Sequence, residues 1–178
     1  ETGVERLGKR ALAFTFEHTV EQQADGDELQ FAVTFPYCLS QIRQYMSDIK
    51  RRLTSMGLYV HSEYLCNSLA GHPIELLTFT SASGMSPDRQ LSLPCLPAHG
   101  RPHIFPGRQV VFISARVHPG EAPASYMLEG LLDFLASPAP EAKVLLERYV
   151  FHVIPVLNPD GVELGHQRTD IRGENLNR

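Results

Sequence analysis

Four short stretches of this sequence hold side chains that could do chemistry together. His118-Pro119-Gly120-Glu121 sets an imidazole and a carboxylate three residues apart around a Pro-Gly bend, so both could face one zinc ion. A catalytic zinc of the His, His, Glu kind takes three protein ligands and leaves a fourth position for water. Taken alone, the tetrad also reads as a polar turn in which Glu121 caps the following helix. Asn158-Pro159-Asp160-Gly161-Val162 is a second unusual turn, and Arg168 follows it. The run Asn175-Leu176-Asn177-Arg178 then pairs a planar guanidinium fork with a neutral donor, a combination suited to the free carboxylate at a peptide's C-terminus. An isolated pair of this kind is also compatible with a solvated arginine-rich loop. His166 is open to two readings, a third metal ligand or a surface loop position.

These stretches need a frame. Gln109 to Ala115 is a nearly continuous apolar run, as expected of a strand buried on both faces. A helix follows with Tyr126, Met127, Leu128, Leu131, Leu132, Phe134 and Leu135 as its apolar side. A short helix from Glu141 to Arg148 leads into a second apolar strand, Tyr149 to Val156, in which His152 reads as a core histidine with its hydrogen bonds satisfied. Strand, helix and strand in this order predict a right-handed crossover in a mixed or mostly parallel sheet. Open sheets of that kind carry their sites at the carboxyl ends of the strands, where the first two stretches lie.

Upstream, Ile42, Tyr45, Met46, Ile49, Leu53 and Met56 keep a helical period, with Ser40 as the expected cap and Gly57 as the stop. Its Lys50, Arg51 and Arg52 cluster reads as a solvated face near the carbonyl end. Strands are predicted over Leu58–Leu65 and Ile74–Thr80. A long Pro-rich loop from Ser81 to Arg108 follows, with His99 and His103 on no helix and no metal site expected from them. At the front, Leu12–Val20 and Leu29–Phe35 alternate around a polar stretch from Glu21 to Asp27 and predict an antiparallel hairpin, which should belong to a larger sheet.

Bulk properties narrow the function classes. The 178 residues carry 16 Lys+Arg against 20 Asp+Glu, a net charge of −4, which argues against a dedicated nucleic-acid binder. Hydrophobic content of 43% is that of a globular protein. Cys38, Cys66 and Cys95 are widely spaced without a Cys-x-x-Cys pair, the usage of a reducing compartment. No apolar run reaches the roughly 20 residues that a bilayer requires, and no signal-peptide core opens the chain. A cytoplasmic location without membrane association is the expectation.

Together the four stretches, in this order, resemble the zinc metallocarboxypeptidase superfamily, and most closely its cytosolic carboxypeptidase branch, which includes the tubulin deglutamylases. The resemblance runs from about Gln109 to Arg178, and more weakly back to Phe35-Pro36-Tyr37. It implies an α/β fold, a mixed, mostly parallel sheet with flanking helices, preceded by the end of an antiparallel β-sandwich. Residues 1–37 would be the last hairpin of that sandwich and 38–178 the first half of the catalytic domain. It implies Zn2+ as cofactor with His118 and Glu121 as ligands, Arg168 as the arginine that polarises the scissile carbonyl, and Asn177 and Arg178 as the pair holding the substrate carboxylate. The implied reaction is removal of C-terminal residues, glutamate in particular, from tubulin or other acidic tails, in the cytoplasm and in contact with the cytoskeleton. In that family the third ligand, a histidine, and the catalytic glutamate follow the Asn-Arg pair, so the 178-residue chain alone is expected to have little activity. Two other outcomes fit the same residues: a deacylase or desuccinylase of the superfamily, and a truncated binding fragment that catalyses nothing.

Overall fold

The computed structural model of the protein describes residues 2–7, 11–20, 28–29, 31–32, 34–92 and 100–178. The chain divides into two compact units, 1–33 and 34–178. In the first, strand β1 (Thr2–Leu7) pairs antiparallel with β2 (Ala11–Phe16), Thr2 opposite Phe16 and Leu7 opposite Ala11. The expected partner run behaves differently: residues 28–29, 31–32 and 34–35 form no strand, and the expected turn 21–27 lies outside the described residues. Alternation marks the apolar face of a strand but does not name its partner. Phe31 still packs beside this hairpin, its ring centroid 5.0 Å from Phe16 and 5.6 Å from His18.

The second unit opens with helix α1 (Leu39–Ser55). Leu39, Ile42, Met46, Ile49 and Leu53 are buried at helical spacing, while Met56 caps the carbonyl end and is exposed. Cys38, not Ser40, is the N-cap, and its backbone N–H donates to Gln41 Oε1 at 2.9 Å. Gly57, at φ +75°, ends the helix as expected, because that backbone conformation is strained for any side chain with a Cβ.

Strands β3 (Tyr59–Asn67), β4 (Pro73–Thr80), β5 (Gln109–Ser114) and β6 (Tyr149–Ile154) form one mixed sheet in the order β3-β4-β6-β5. The expected α/β class holds, and the parallel pairing is confined to the crossover. β5 and β6 run parallel, linked through helices α2 (Pro123–Leu135) and α3 (Pro140–Arg148), whereas β3–β4 and β4–β6 are antiparallel. One sheet face, with Leu77, Phe79, Phe151 and Val153, forms the main core with Ile49 and Leu53 of α1, Leu128, Leu132 and Leu135 of α2, and Leu146 of α3. Phe79 and Phe151 stack at 5.3 Å across the centre.

The opposite face carries a lateral row, His61, Thr78, His152 and Phe112, one residue from each strand. Part of the 81–108 segment anchors here: Arg101 reaches Glu63 at 2.7 Å, and the His103 N–H donates to Tyr59 Oη at 2.8 Å. His99 and Cys95 lie outside the described residues. His103 Nδ1 sits 2.9 Å from Ser86 O. Two sequence expectations fail on this face. β5 is an edge strand among the described residues, with Val110 55% and Phe112 59% exposed, because its pleat turns only Val111 and Ile113 toward the helices. His152 is half-buried with Nε2 lacking a hydrogen-bond partner among the described residues, as is His61 Nε2. The buried Thr78 hydroxyl between them is likewise without one.

Candidate metal centre and carboxylate anchor

Past their last residues, β5 and β6 stay joined by backbone bonds. Ala115 N–H donates to Ile154 O, Leu157 N–H to Ala115 O, and Asn158 N–H to Arg116 O, at 2.9–3.1 Å. The turn 116–121 and the Asn158 turn are thereby held side by side. Asn158 is buried; its Oδ1 accepts from Gly161 N–H at 3.0 Å, and its Nδ2 donates to Thr169 O at 3.2 Å. The short helix α4 (Pro159–Glu163) starts from this cap. Gly120 N–H donates to Gln167 O at 2.8 Å, so three loop segments interlock. Two glycines permit the close approach. A Cβ on Gly161 would lie 2.3 Å from Pro119 Cγ, and one on Gly120 would lie 3.0 Å from Gln167 O.

This interlock brings His118, Glu121 and Arg168 together although Arg168 lies 50 residues beyond His118. His118 is buried, with Nδ1 3.1 Å from Glu121 Oε1. Arg168 Nη1 donates to the same Glu121 oxygen at 2.9 Å, and its Nη2 lies 3.3 Å from His118 Nε2. Glu121 therefore does not cap α2: the N-cap there is Ala122, with no side-chain cap bond. An imidazole nitrogen and a carboxylate oxygen 3.1 Å apart are spaced close to two corners of a tetrahedron around zinc, whose bonds to such ligands are about 2.1 Å. The pair thus suits zinc in both donor type and spacing. Among the described residues no group of three or more His, Cys, Asp or Glu converges on one point, so the pair has no third partner there.

Asn175 joins the cluster, its Oδ1 3.1 Å from His118 Nε2 and accepting Asn177 N–H at 3.0 Å. Asn175 Oδ1 and Arg168 Nη2 both face Nε2, so the ring is held from that side while Nδ1 faces Glu121. Asn177 and Arg178 follow on the exposed surface and connect to His118 through Asn175; Arg178 Nη1 donates to Asn177 O at 2.8 Å. His166 does not join His118 and Glu121; its Nδ1 is 3.1 Å from Asp170 O.

Two buried carboxylates shape these loops: Asp160, within the Asn158 turn already marked by sequence, and Asp170, which sequence did not single out. Asp160 accepts from Ala70 N–H at 3.0 Å and from the Ser68 hydroxyl, tying the β3–β4 turn to the Asn158 loop. Asp170 Oδ1 accepts from the Arg172 and Glu174 N–H groups at 2.8 and 2.9 Å, which bends the chain toward Asn175. The legible signal for Asp170 is a short acidic residue just ahead of free backbone amides, the pattern of an Asx turn, whereas the partners of Asp160 lie some 90 residues away and no local pattern announces them.

A family model described as zinc carboxypeptidase matches residues 42–178. Over 161 residues the chain is 43% identical to cytosolic carboxypeptidase-like protein 5 of Mus musculus, covering 83% of this chain and 18% of that protein. It is 38% identical over 165 residues to cytosolic carboxypeptidase 1 of Danio rerio, covering 93% of this chain and 13% of that protein. Among solved structures, a metallo-carboxypeptidase from Burkholderia cenocepacia superposes with a TM-score of 0.59 at 28% identity, over 80% of this chain and 32% of that one. The chain thus spans less than a fifth of the length of these curated relatives.

Proposed function

Since this chain belongs to the zinc carboxypeptidase family, we propose that it supplies two metal ligands and the carboxylate anchor of a cytoplasmic enzyme that removes C-terminal residues from acidic protein tails. The observation that carries this reading is the convergence of His118, Glu121 and Arg168 at the ends of β5 and β6. His118 and Glu121 would hold Zn2+, which supplies a Lewis acid and lowers the pKa of a bound water. Asn175 keeps the His118 ring oriented. Arg168, an exposed cation beside that pair, is placed to polarise a scissile carbonyl and to stabilise the negative charge that develops on its oxygen. Asn177 and Arg178 would bind the terminal carboxylate of the substrate, which confines cleavage to chain ends. The exposed Arg168 beside Glu121 and the exposed Arg178 supply positive charge suited to glutamate-rich tails, with polyglutamylated tubulin and the cytoskeleton as the setting.

The test uses the full-length protein. It is offered a peptide ending in several glutamates and, separately, an N-acyl amino acid, each with and without a chelator. Release of terminal glutamate that stops on chelation and returns with zinc is the expected result. Hydrolysis of only the N-acyl amino acid would assign the site to deacylation instead. Arg178→Ala should raise KM for free-carboxylate peptides about 10-fold or more, the scale of a lost charged hydrogen bond, with kcat less affected. Arg168→Ala should lower kcat by roughly 10²–10³.

A further inference from the structure

Arg116 is the residue that the proposed chemistry does not use and the structure does not otherwise explain. It is only 5% exposed. Among the described residues it is the one non-glycine with positive φ, at 54°. No carboxylate pairs with it among the described residues. A guanidinium taken out of water without a counter-ion is costly, so its hydrogen bonds must fix something specific. They do: Nε and Nη2 both donate to Pro119 O, at 3.0 and 2.5 Å, gripping one carbonyl with two prongs of the fork. Nη1 donates to Tyr37 O at 3.1 Å and to Ser125 Oγ of α2 at 2.9 Å. Its own carbonyl accepts Asn158 N–H.

The gripped carbonyl belongs to the residue between His118 and Gly120, inside the bend that aims His118 and Glu121 at one another. We propose that Arg116 is a positioning residue for the metal ligands. It locks the 116–121 turn from within, against Tyr37 and α2, so that His118 Nδ1 and Glu121 Oε1 are presented together before metal arrives. It touches neither metal nor substrate. The inference rests on His118 and Glu121 being metal ligands, as set out above. Ser125 and Tyr37 are the fixed supports of the clamp, and Pro119 O is its load. A general packing role would make every leg matter alike, whereas a positioning role makes the Pro119 leg dominant.

The experiment measures zinc affinity of the full-length protein by competition with a chromophoric chelator, alongside thermal melting and circular dichroism of the metal-free form. Arg116→Lys keeps the charge but not the two-pronged grip, and Arg116→Gly removes the side chain where glycine accepts the backbone conformation without strain. Both should fold without metal and bind zinc 10–100-fold more weakly, the scale seen when groups that orient metal ligands are lost. Ser125→Ala should stay within about twofold of the unaltered protein. Wild-type zinc affinity in either folded Arg116 variant would overturn the positioning role. So would an equal loss in Ser125→Ala, or failure of both Arg116 variants to fold without metal, since the residue would then serve the fold at large. His118→Ala is the separate control. If it binds zinc as the unaltered protein does, the metal assignment itself fails, and the inference with it.

Discussion

Gly161 leaves no room for a methyl group. Besides the 2.3 Å approach to Pro119 Cγ, its Cβ would sit 2.8 Å from Thr169 O and 2.9 Å from Asn158 Nδ2. Gly161→Ala should therefore destabilise the protein by about 3 kcal/mol, read as a lower denaturant midpoint at unchanged slope. Gly130, inside α2 with nothing within 4 Å of its Cβ position, should behave in the opposite way. Gly130→Ala is expected to stabilise by about 0.5–1 kcal/mol in the same assay, through helix propensity alone. The contrast also shows what sequence reveals about single residues. That His118 and Glu121 meet is suggested by residue type and spacing, while their role as ligands rests on the family resemblance. Asn175 and Arg116 were not legible, because their roles depend on groups placed by the fold, 57 residues away for Asn175 and His118, or on a backbone angle that no residue type announces.

Among the elements, α1 was the most readable, since five buried positions on one stripe leave little ambiguity. Its start was less so: Ser40 has the better capping chemistry, yet the chain enters the helix two residues earlier, at Cys38. β5 misled for a physical reason, as an apolar run looks the same whether or not its second face is covered. The polar row across the sheet has a measurable effect. His61 and His152 both have lowered pKa values, chiefly through burial; Glu63 pulls each upward, while Arg101 opposes, joined by Arg89 at His61. A histidine with its folded pKa below the unfolded value near 6.5 takes up its proton more readily when unfolded. Stability should therefore be full above about pH 6.5 and fall as the pH drops through that value toward the lowered folded pKa. Denaturant midpoints at pH 7.5 and 5.5 check this, and His152→Phe should shrink the difference between them.

For the molecule as a whole, β5 is an edge strand of the sheet among the described residues, with the apolar Val110 and Phe112 exposed. Such edges promote association between chains. The 178-residue chain should sediment as a concentration-dependent mixture, and Val110→Thr with Phe112→Lys should shift it toward monomer without lowering its melting temperature. A second consequence comes from the 50 residues between His118 and Arg168. During synthesis at roughly 10 residues per second, the imidazole and the carboxylate of the first turn emerge about 5 s before the segment that closes over them. In that interval the two proposed ligands stand without the segment that later interlocks with them, and nitrogen and oxygen donors favour copper over zinc by raw affinity. On the proposed zinc assignment, discrimination between ions should therefore sharpen only once the later loops have locked around the first turn.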